Sequence, residues 1–565
     1  MTLGAVRRWA RERGIGRAKF ARAHDDAFVV AVSRLLQAIY REHAAPRSAL
    51  RQDAAGRWSF DLGRGPILRA PVTGPLPFRR LEVTGLPSMN GAGRRRTVGT
   101  PRAFLNALRR CLRASEMMHR FEPLVADFNN SFANLVLNRL LGQRLDADAQ
   151  AIEPAYQGHT TYPFPALRIG PSLAHVVECS NLCRKAIDLP LAAVRPYRFD
   201  SADFEDHRTC FRAWAGLSLP RSGDVLIPLH PWQLELSPVV RELRERRWIA
   251  VLDDRLKAVP LASQRTCRIV ATGFDVKLPI DATLTSAGRL LYPLNRANAP
   301  AVSRLARIFL EAEGESTLDF QYDVASLAHA ESHIGSHLSA IVRAPVPQRA
   351  GEVVVPALNL WSGPRQARTL LDLGGPEQAY EFFSTYCRVL MRGPVDFYAR
   401  CGMAFEPHLQ NVHVALHAGV PSRIVLRDLD STILDHVRVR PVLRANGLEL
   451  APTTWRHMPT YEIGGRRLAH SMLYGHLGEV MSYLARNSRA DLARLTGSLD
   501  ETWNELIASA SSPSSRRLMR DVQAHSNTVT AVLRMRLARS ARFMFSRIVS
   551  CSLPQRGQKC LRVPP

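Results

Sequence analysis

The chain has 565 residues, too many for one compact core, so two or three subdomains around a shared cleft are expected. Its 46% hydrophobic and 7% aromatic content suits a folded protein, and no stretch reaches the ~18 uncharged apolar residues of a membrane helix. The formal charge of +26 admits nucleic acid, a membrane surface or anionic small substrates.

Five lysines stand against 71 arginines, and that bias is spread over the whole chain. The densest basic runs, Arg94-Arg95-Arg96 and the first 22 residues, carry no interleaved aromatics for base stacking. Nucleic acid is therefore a distant expectation. The basic N-terminus lacks the apolar core of a secretory signal, which points to the cytoplasm. The nine cysteines include no CxxC and no zinc-like Cys/His spacing, as expected of reduced thiols.

In chain order, DDAFVVAVSRLLQAIYREH (25–43) and the run 101–145 show apolar residues at helical spacing. A Gly/Pro-containing stretch with short strand-like runs, about 50–100, separates them. Short β-like runs then follow: DVLIPL, WIAVLD, TCRIVATG and DVKLPI, each bounded by turn residues. Residues 300–345 are expected to return to helix, and 376–403 form a long helical run. VHVAL and RIVLRDL read as paired strands, and helix resumes from 467. The division is a mostly helical part (1–150), a mixed part (151–375) and a part with a hairpin and C-terminal helices (376–565). The class is α+β.

Four segments carry candidate chemistry. The first is Ser263-Gln264-Arg265-Thr266, followed by CRIVATGFDVKLPID. As a strand it places Ser263 and Arg265 on one face. A hairpin turning near Gly273 would return Lys277 opposite Arg265, gathering cations and hydroxyls suited to a triphosphate. The same pattern also describes an ordinary solvated hairpin. Lys277 gains interest because the chain uses so few lysines, and an ammonium is a compact point charge where Arg is a planar fork.

The second segment is Glu406-Pro407-His408-Leu409-Gln410-Asn411, leading to Arg427-Asp428. A hairpin turning at Gly419-Val420 would set Asn411 opposite Asp428. Such oxygen ligands hold Mg²⁺ on a nucleotide, and protein kinases use an Asn and an Asp comparably. A buried Asn–Asp hydrogen bond is the alternative. The third segment, GHTTYPFPALRIG (158–170), is a Pro-rich turn region with His159 and Arg168. The fourth, IPLHPWQ (227–233), reads as a strand end, with His230 and Trp232 as packing and turn features. His329, His333 and His337 fall at four-residue spacing on a supposed helix. Without HExxH they read as a partly exposed face rather than a zinc site.

Taken in order, these segments resemble the siderophore synthetases that work without a nonribosomal peptide synthetase, the IucA/IucC family typified by aerobactin synthetase. The family pattern GHPxHPxxKxRxG, HPWQ, SxRT, ExHxQN and RD is matched by GHTTYPFPALRIG, HPWQ, SQRT, EPHLQN and Arg427-Asp428, over about half the chain. The resemblance implies a cradle-like thumb, fingers and palm architecture with a central ATP cleft. It implies ATP-binding by His159, Arg168, Ser263, Arg265, Thr266, Lys277, Asn411 and Asp428, with Arg265, Lys277 and His408 central to catalysis. Thr285, Arg289 and His408 would hold the substrate carboxylate. Glu406, Asn411 and Asp428 would hold Mg²⁺. The implied reaction adenylates citrate or a related acid, releases pyrophosphate, and passes the acyl group to an amine or hydroxyl. Family members are often dimers.

The chain departs from the pattern where the family's second His is Tyr162 and its Lys is Ala166. A subgroup with a rearranged loop, an altered substrate and a weakened enzyme are the three explanations. A kinase-like phosphotransferase is the alternative function. It would release ADP, and no GxGxxG or HRD-type segment accompanies it.

Overall fold

The computed structural model describes residues 1–42, 49–63, 67–74, 76–91, 94–112, 121–142, 158–183, 185–195, 199–203, 225–285, 287–312, 316–361, 373–450, 457–458, 461–510, 512–524, 528–530, 533 and 545–547. Cys551, Lys559 and Cys560 lie outside them. The N-terminal region pairs the long helices Arg17–Arg41 and Phe121–Leu141. Both are buried along most of their length, Phe28 packing edge-on against Phe132 and Phe104. The Gly/Pro-containing stretch between them is a five-stranded antiparallel meander over Leu50–Thr97.

An eight-stranded antiparallel sheet forms the middle of the molecule. Its spatial order is Phe199–Asp203, Asp323–His329, Ser339–Arg343, Asp275–Lys277, Thr266–Ile269, Ile249–Pro260, Ile187–Val194 and Val225–Pro228. Ile187–Val194 is buried at every position but Asp188, as suits a strand with both faces covered. One apolar core joins this sheet to the N-terminal helices, through residues such as Phe164, Ala166 and Leu167.

Residues 300–345 correct the helical expectation. The helix Pro293–Glu311 ends there, and Leu318–Phe320, Asp323–His329 and Ser339–Arg343 are strands. Asp323–His329 is buried at all seven positions. Such a run carries no alternation to separate strand from buried helix. The histidine row dissolves accordingly. His329 ends a strand, and only His333 and His337 share the short helix Ser332–His337.

The C-terminal region has its own core around the helix Pro376–Cys401. That helix starts with Pro at its first position and ends on Gly402 at φ 70°, the left-handed conformation glycine adopts without strain. Against it lies a four-stranded sheet ordered Leu318–Phe320, Val420–Leu426, Val412–His417 and Glu352–Pro356. Arg423 is buried within this sheet, bonded to Glu352 (2.7 Å), Asp319 (3.0 Å) and the Pro347 carbonyl (2.9 Å).

An ion cluster ties the two regions together. Glu479, in the helix Gly478–Asn487, pairs with Arg34 (2.9 Å) and with Arg80. Burial raises the Glu479 pKa, but the two guanidiniums overcome that and bring it to about 2. A depressed folded pKa gives stability that is fully present above the ordinary value near 4.5 and is lost as the pH falls toward 2. Glu479→Gln should therefore flatten the acid limb of stability between about pH 4.5 and 2, and lower stability at pH 7 by on the order of 3 kcal/mol. Chemical denaturation across that pH range measures both.

Candidate active site

Two hairpins from the two regions meet at the site. The first pairs Thr266–Ile269 with Asp275–Lys277 and turns where expected, at Gly273 (φ 75°). Its register differs by one residue from the expectation, because Lys277 lies opposite Thr266. The connecting loop sets that register, with the Ile269 amide donating to the Phe274 carbonyl (2.8 Å) and the Gly273 amide to the Ile269 carbonyl (2.9 Å), while a separate tight turn precedes the first strand. The Gln264 amide donates to the Leu261 carbonyl (2.9 Å), and Leu261 in turn bonds back to Thr266 (2.8 Å). Ser263 is thus in a turn, not a strand, and its hydroxyl accepts from the Thr266 amide (3.0 Å).

The second hairpin pairs Val412–His417 with Val420–Leu426 and turns at Ala418-Gly419, both at positive φ. That turn lies one residue earlier than expected and by itself would set Asn411 opposite Leu426; a bulge between Ala415 and Leu416 moves the pairing back by one. Asn411 consequently faces Arg427, whose amide donates to the Asn411 carbonyl (3.0 Å), and Asp428 lies one residue beyond. Asp428 has φ 69° and opens the short turn Leu429–Ser431.

Lys277 joins the hairpins. Its ammonium donates to Asp428 Oδ1 (2.7 Å) and Asp430 Oδ1 (2.6 Å). Arg343, at the end of the neighbouring strand, bonds Asp428 Oδ1 (3.0 Å) and Asp323 (2.7 Å). Burial raises the Asp428 pKa, yet Lys277, Arg343 and Arg265 hold it well below the usual carboxylate range. Asp430, Arg343 and Asp323 were not among the candidates. Asp430 could have been noticed two residues after Asp428, but Arg343 and Asp323 lay in the stretch read as helix.

Around this ion cluster the partly exposed groups are Ser263, Arg265, Thr285, Arg289, His159, His408, Tyr162 and Asp428, while Lys277, Asp430, Arg343 and Asn411 are buried behind them. Arg265 donates to the Arg289 (3.1 Å) and Leu290 (3.4 Å) carbonyls. Its pKa falls to about 10 through burial, with Arg289 adding repulsion. Arg289 bonds Thr285 Oγ1 (2.8 Å) and the Leu284 carbonyl (2.9 Å). Gln264, Thr285 and Asp428 all adopt positive φ. For β-branched Thr285 this is strained backbone, of the kind that collects at functional sites.

His159 and His408 face each other with ring centroids 5.3 Å apart, and Tyr162 sits edge-on to His159 at 4.2 Å. Burial lowers both histidines, His159 well below its ordinary range and His408 to about 4. Both are neutral at pH 7. The loop carrying His159 and Tyr162 is closed by Gly158, at φ 68°, whose absent Cβ would lie 2.2 Å from the Pro165 carbonyl oxygen.

Other candidates have structural partners. Arg168 donates to Asn134 (2.8 Å) and Asn138 (3.0 Å) of the helix Phe121–Leu141. Ala166 is buried in the N-terminal core, and its amide donates to Ser131 (3.1 Å). Glu406 forms an ion pair with Arg467. Asn411 bonds the Glu406 carbonyl (3.3 Å). His230 caps the helix Pro231–Leu236, and Trp232 bonds the His175 carbonyl (2.9 Å), so HPWQ braces the fold.

Residues 148–361 match the model of the IucA/IucC family. This segment is an IucA/IucC family domain. Residues 381–542 match a second family, the ferric iron reductase FhuF-like transporters. An uncharacterized protein of Sinorhizobium fredii is 25% identical over 492 residues, 75% of this chain and 77% of its own. A Staphylococcus aureus enzyme, 2-[(L-alanin-3-ylcarbamoyl)methyl]-3-(2-aminoethylcarbamoyl)-2-hydroxypropanoate synthase, is 26% identical over 229 residues, 36% of each chain. The fold is that of the ATP-bound aerobactin synthetase IucA from Klebsiella pneumoniae, with a TM-score of 0.75 at 16% identity, covering 92% of this chain and 99% of that one. Among the described residues no helix is long and apolar enough to cross a membrane.

The contrast between Lys277 and Arg265 can be tested. Removing Lys277 leaves two carboxylates short of a buried partner, so Lys277→Met should cost about 3 kcal/mol of stability. Arg265, bonded to carbonyls beside a second guanidinium, should be replaceable by Ala with a change in stability below about 1 kcal/mol. Thermal unfolding of the two variants checks the difference.

Proposed function

We propose that the protein is an ATP-dependent ligase that adenylates a carboxylate of citrate or a related acid and joins it to an amine or hydroxyl. The observation that carries this reading is the convergence of Arg265, Arg289 and the Lys277–Asp428–Arg343 cluster on one partly open site. Two guanidiniums with lowered pKa values, held beside a strained Thr285, form a preorganised site for anionic oxygens. The staphylococcal relative supports the substrate class, since its printed name describes a 2-hydroxypropanoate bearing two carbamoyl groups. The ATP-bound aerobactin synthetase of the same fold supports the nucleotide.

In this reading Ser263, Arg265 and Thr266 form the phosphate side, with His159 beside them and Lys277 behind, paired with Asp428, while Thr285, Arg289 and His408 hold the substrate carboxylate. The carboxylate attacks the α-phosphorus and pyrophosphate leaves. An amine or hydroxyl then captures the acyl group and AMP departs. Neutral His408 and His159 are able to accept a proton from the incoming nucleophile. Mg²⁺ would neutralise phosphate charge when bound. The donors that fit it are Asp428, whose two bonds above both use Oδ1, and Asn411. Glu406 would have to exchange Arg467 for the ion. Ala166 places no side-chain charge in the site, and Arg168 acts through the helix it binds.

Incubation with ATP, Mg²⁺, citrate and hydroxylamine should yield AMP and an iron-coloured hydroxamate. ADP as the nucleotide product would instead support the phosphotransferase and sink the ligase. Arg265→Ala should lose at least about 100-fold in turnover while remaining folded, since it removes a charge aimed at the phosphates. Near-normal rates in that variant would place the phosphate site elsewhere.

A further inference from the structure

The helical run from Tyr461 to Asn487 is interrupted by one π-helical segment, His470–Leu477. Turns of this kind are rare and are frequently found at functional sites. This one is pressed against the loop that carries His408. Gly475 comes so close that an added Cβ would lie 3.3 Å from His408 Cβ and 3.4 Å from Thr161 Cγ2. The next residue, His476, is fully buried and bonded on both ring nitrogens. Nδ1 lies 2.9 Å from the Pro407 carbonyl oxygen, and Nε2 lies 2.6 Å from the Tyr386 hydroxyl. About two turns earlier in the same helical run, Arg467 pairs with Glu406.

We propose that the π-helical segment His470–Leu477 is the positioning element for His408, acting through His476 and Gly475. Glu406, Pro407 and His408 are each gripped in succession by this one run of helix. Thr161, two residues from His159, meets the same glycine, so one backbone segment fixes the loops of both facing histidines. Tyr386 belongs to the central helix Pro376–Cys401, which anchors the bridge in the C-terminal core. His476 does not contact the reacting atoms. Its role is to hold the Pro407 carbonyl, and with it the direction in which His408 projects.

The bridge dictates one tautomer. The Pro407 carbonyl only accepts, so Nδ1 carries the proton, and Nε2 accepts from the Tyr386 hydroxyl. Burial keeps His476 neutral, with its pKa lowered to about 3.

The kinetic part of this inference rests on the ligase reading; the tautomer does not. With ¹⁵N-histidine in the full-length protein, His476, identified by the signal lost in His476→Asn, should show a protonated Nδ1 and an unprotonated Nε2. That pattern should hold from about pH 5 to pH 8. An Nε2-protonated ring, or titration in that range, overturns the bridge. In the AMP-release assay His476→Leu should lose about 10- to 100-fold in kcat with the KM for ATP within about threefold. His476→Asn can still donate to Pro407 and should recover most of that loss. A His476→Leu enzyme with near-normal kcat, or an Asn variant no better than Leu, overturns the positioning role. If His476→Leu does not fold, Gly475→Ala supplies the test, with an expected fall in kcat of about fivefold. If the wild-type protein releases no AMP, the ligase reading fails, and the tautomer alone decides the bridge.

Discussion

The ammonium of Lys277, held between Asp428 and Asp430, is the contact on which the site depends. It joins a hairpin of the eight-stranded sheet to a hairpin of the C-terminal sheet, and each hairpin brings its own chemistry. A buried charge of this kind is stable only with its partners in place. The hairpins are therefore fixed relative to one another to the precision of a hydrogen bond. Arg343 reinforces the join from the adjacent strand and continues it to Asp323.

With that join fixed, the remaining positive charge has few carboxylates to meet. Arg265 and Arg289 lie beside each other and bond mainly to neutral oxygens. Their lowered pKa values reflect a site that is costly to form without an anion. Positive φ at Gln264, Thr285 and Asp428 is a second cost, located in the same place. Local strain and unbalanced charge, together with two neutral histidines, are the features that support the polyanionic ligand of the proposed function. The π-helical segment lies against the loop of His408, where Gly475 approaches His408 and Thr161.

The departures of the motif at positions 162 and 166 look different in three dimensions. Ala166 faces the core between the N-terminal helices and the sheet, so its small side chain serves packing. Tyr162 stays at the site, edge-on to His159. The charge a lysine would add at 166 is thus absent from the site, and the arginines at 265 and 289 carry the positive field.

Local pattern in the sequence determined the long helices, both hairpins and the turn at Gly273, because amphipathic spacing and turn residues are short-range signals. The order of the motifs was equally legible and pointed to the family. Register was not. The loop between Ile269 and Phe274, and a turn at Ala418-Gly419 partly offset by a bulge at Ala415, each left a pairing one residue from its expected place, and such details follow from packing rather than from residue type. Strands between 318 and 343 were hidden because a strand buried on both faces loses its alternation. The partners Arg343, Asp323 and Asp430, and the grip of His476 on Pro407, were decided by tertiary structure alone. Those groups lie 20 to 153 residues from their partners in the chain, and only the folded sheets and helices bring them together.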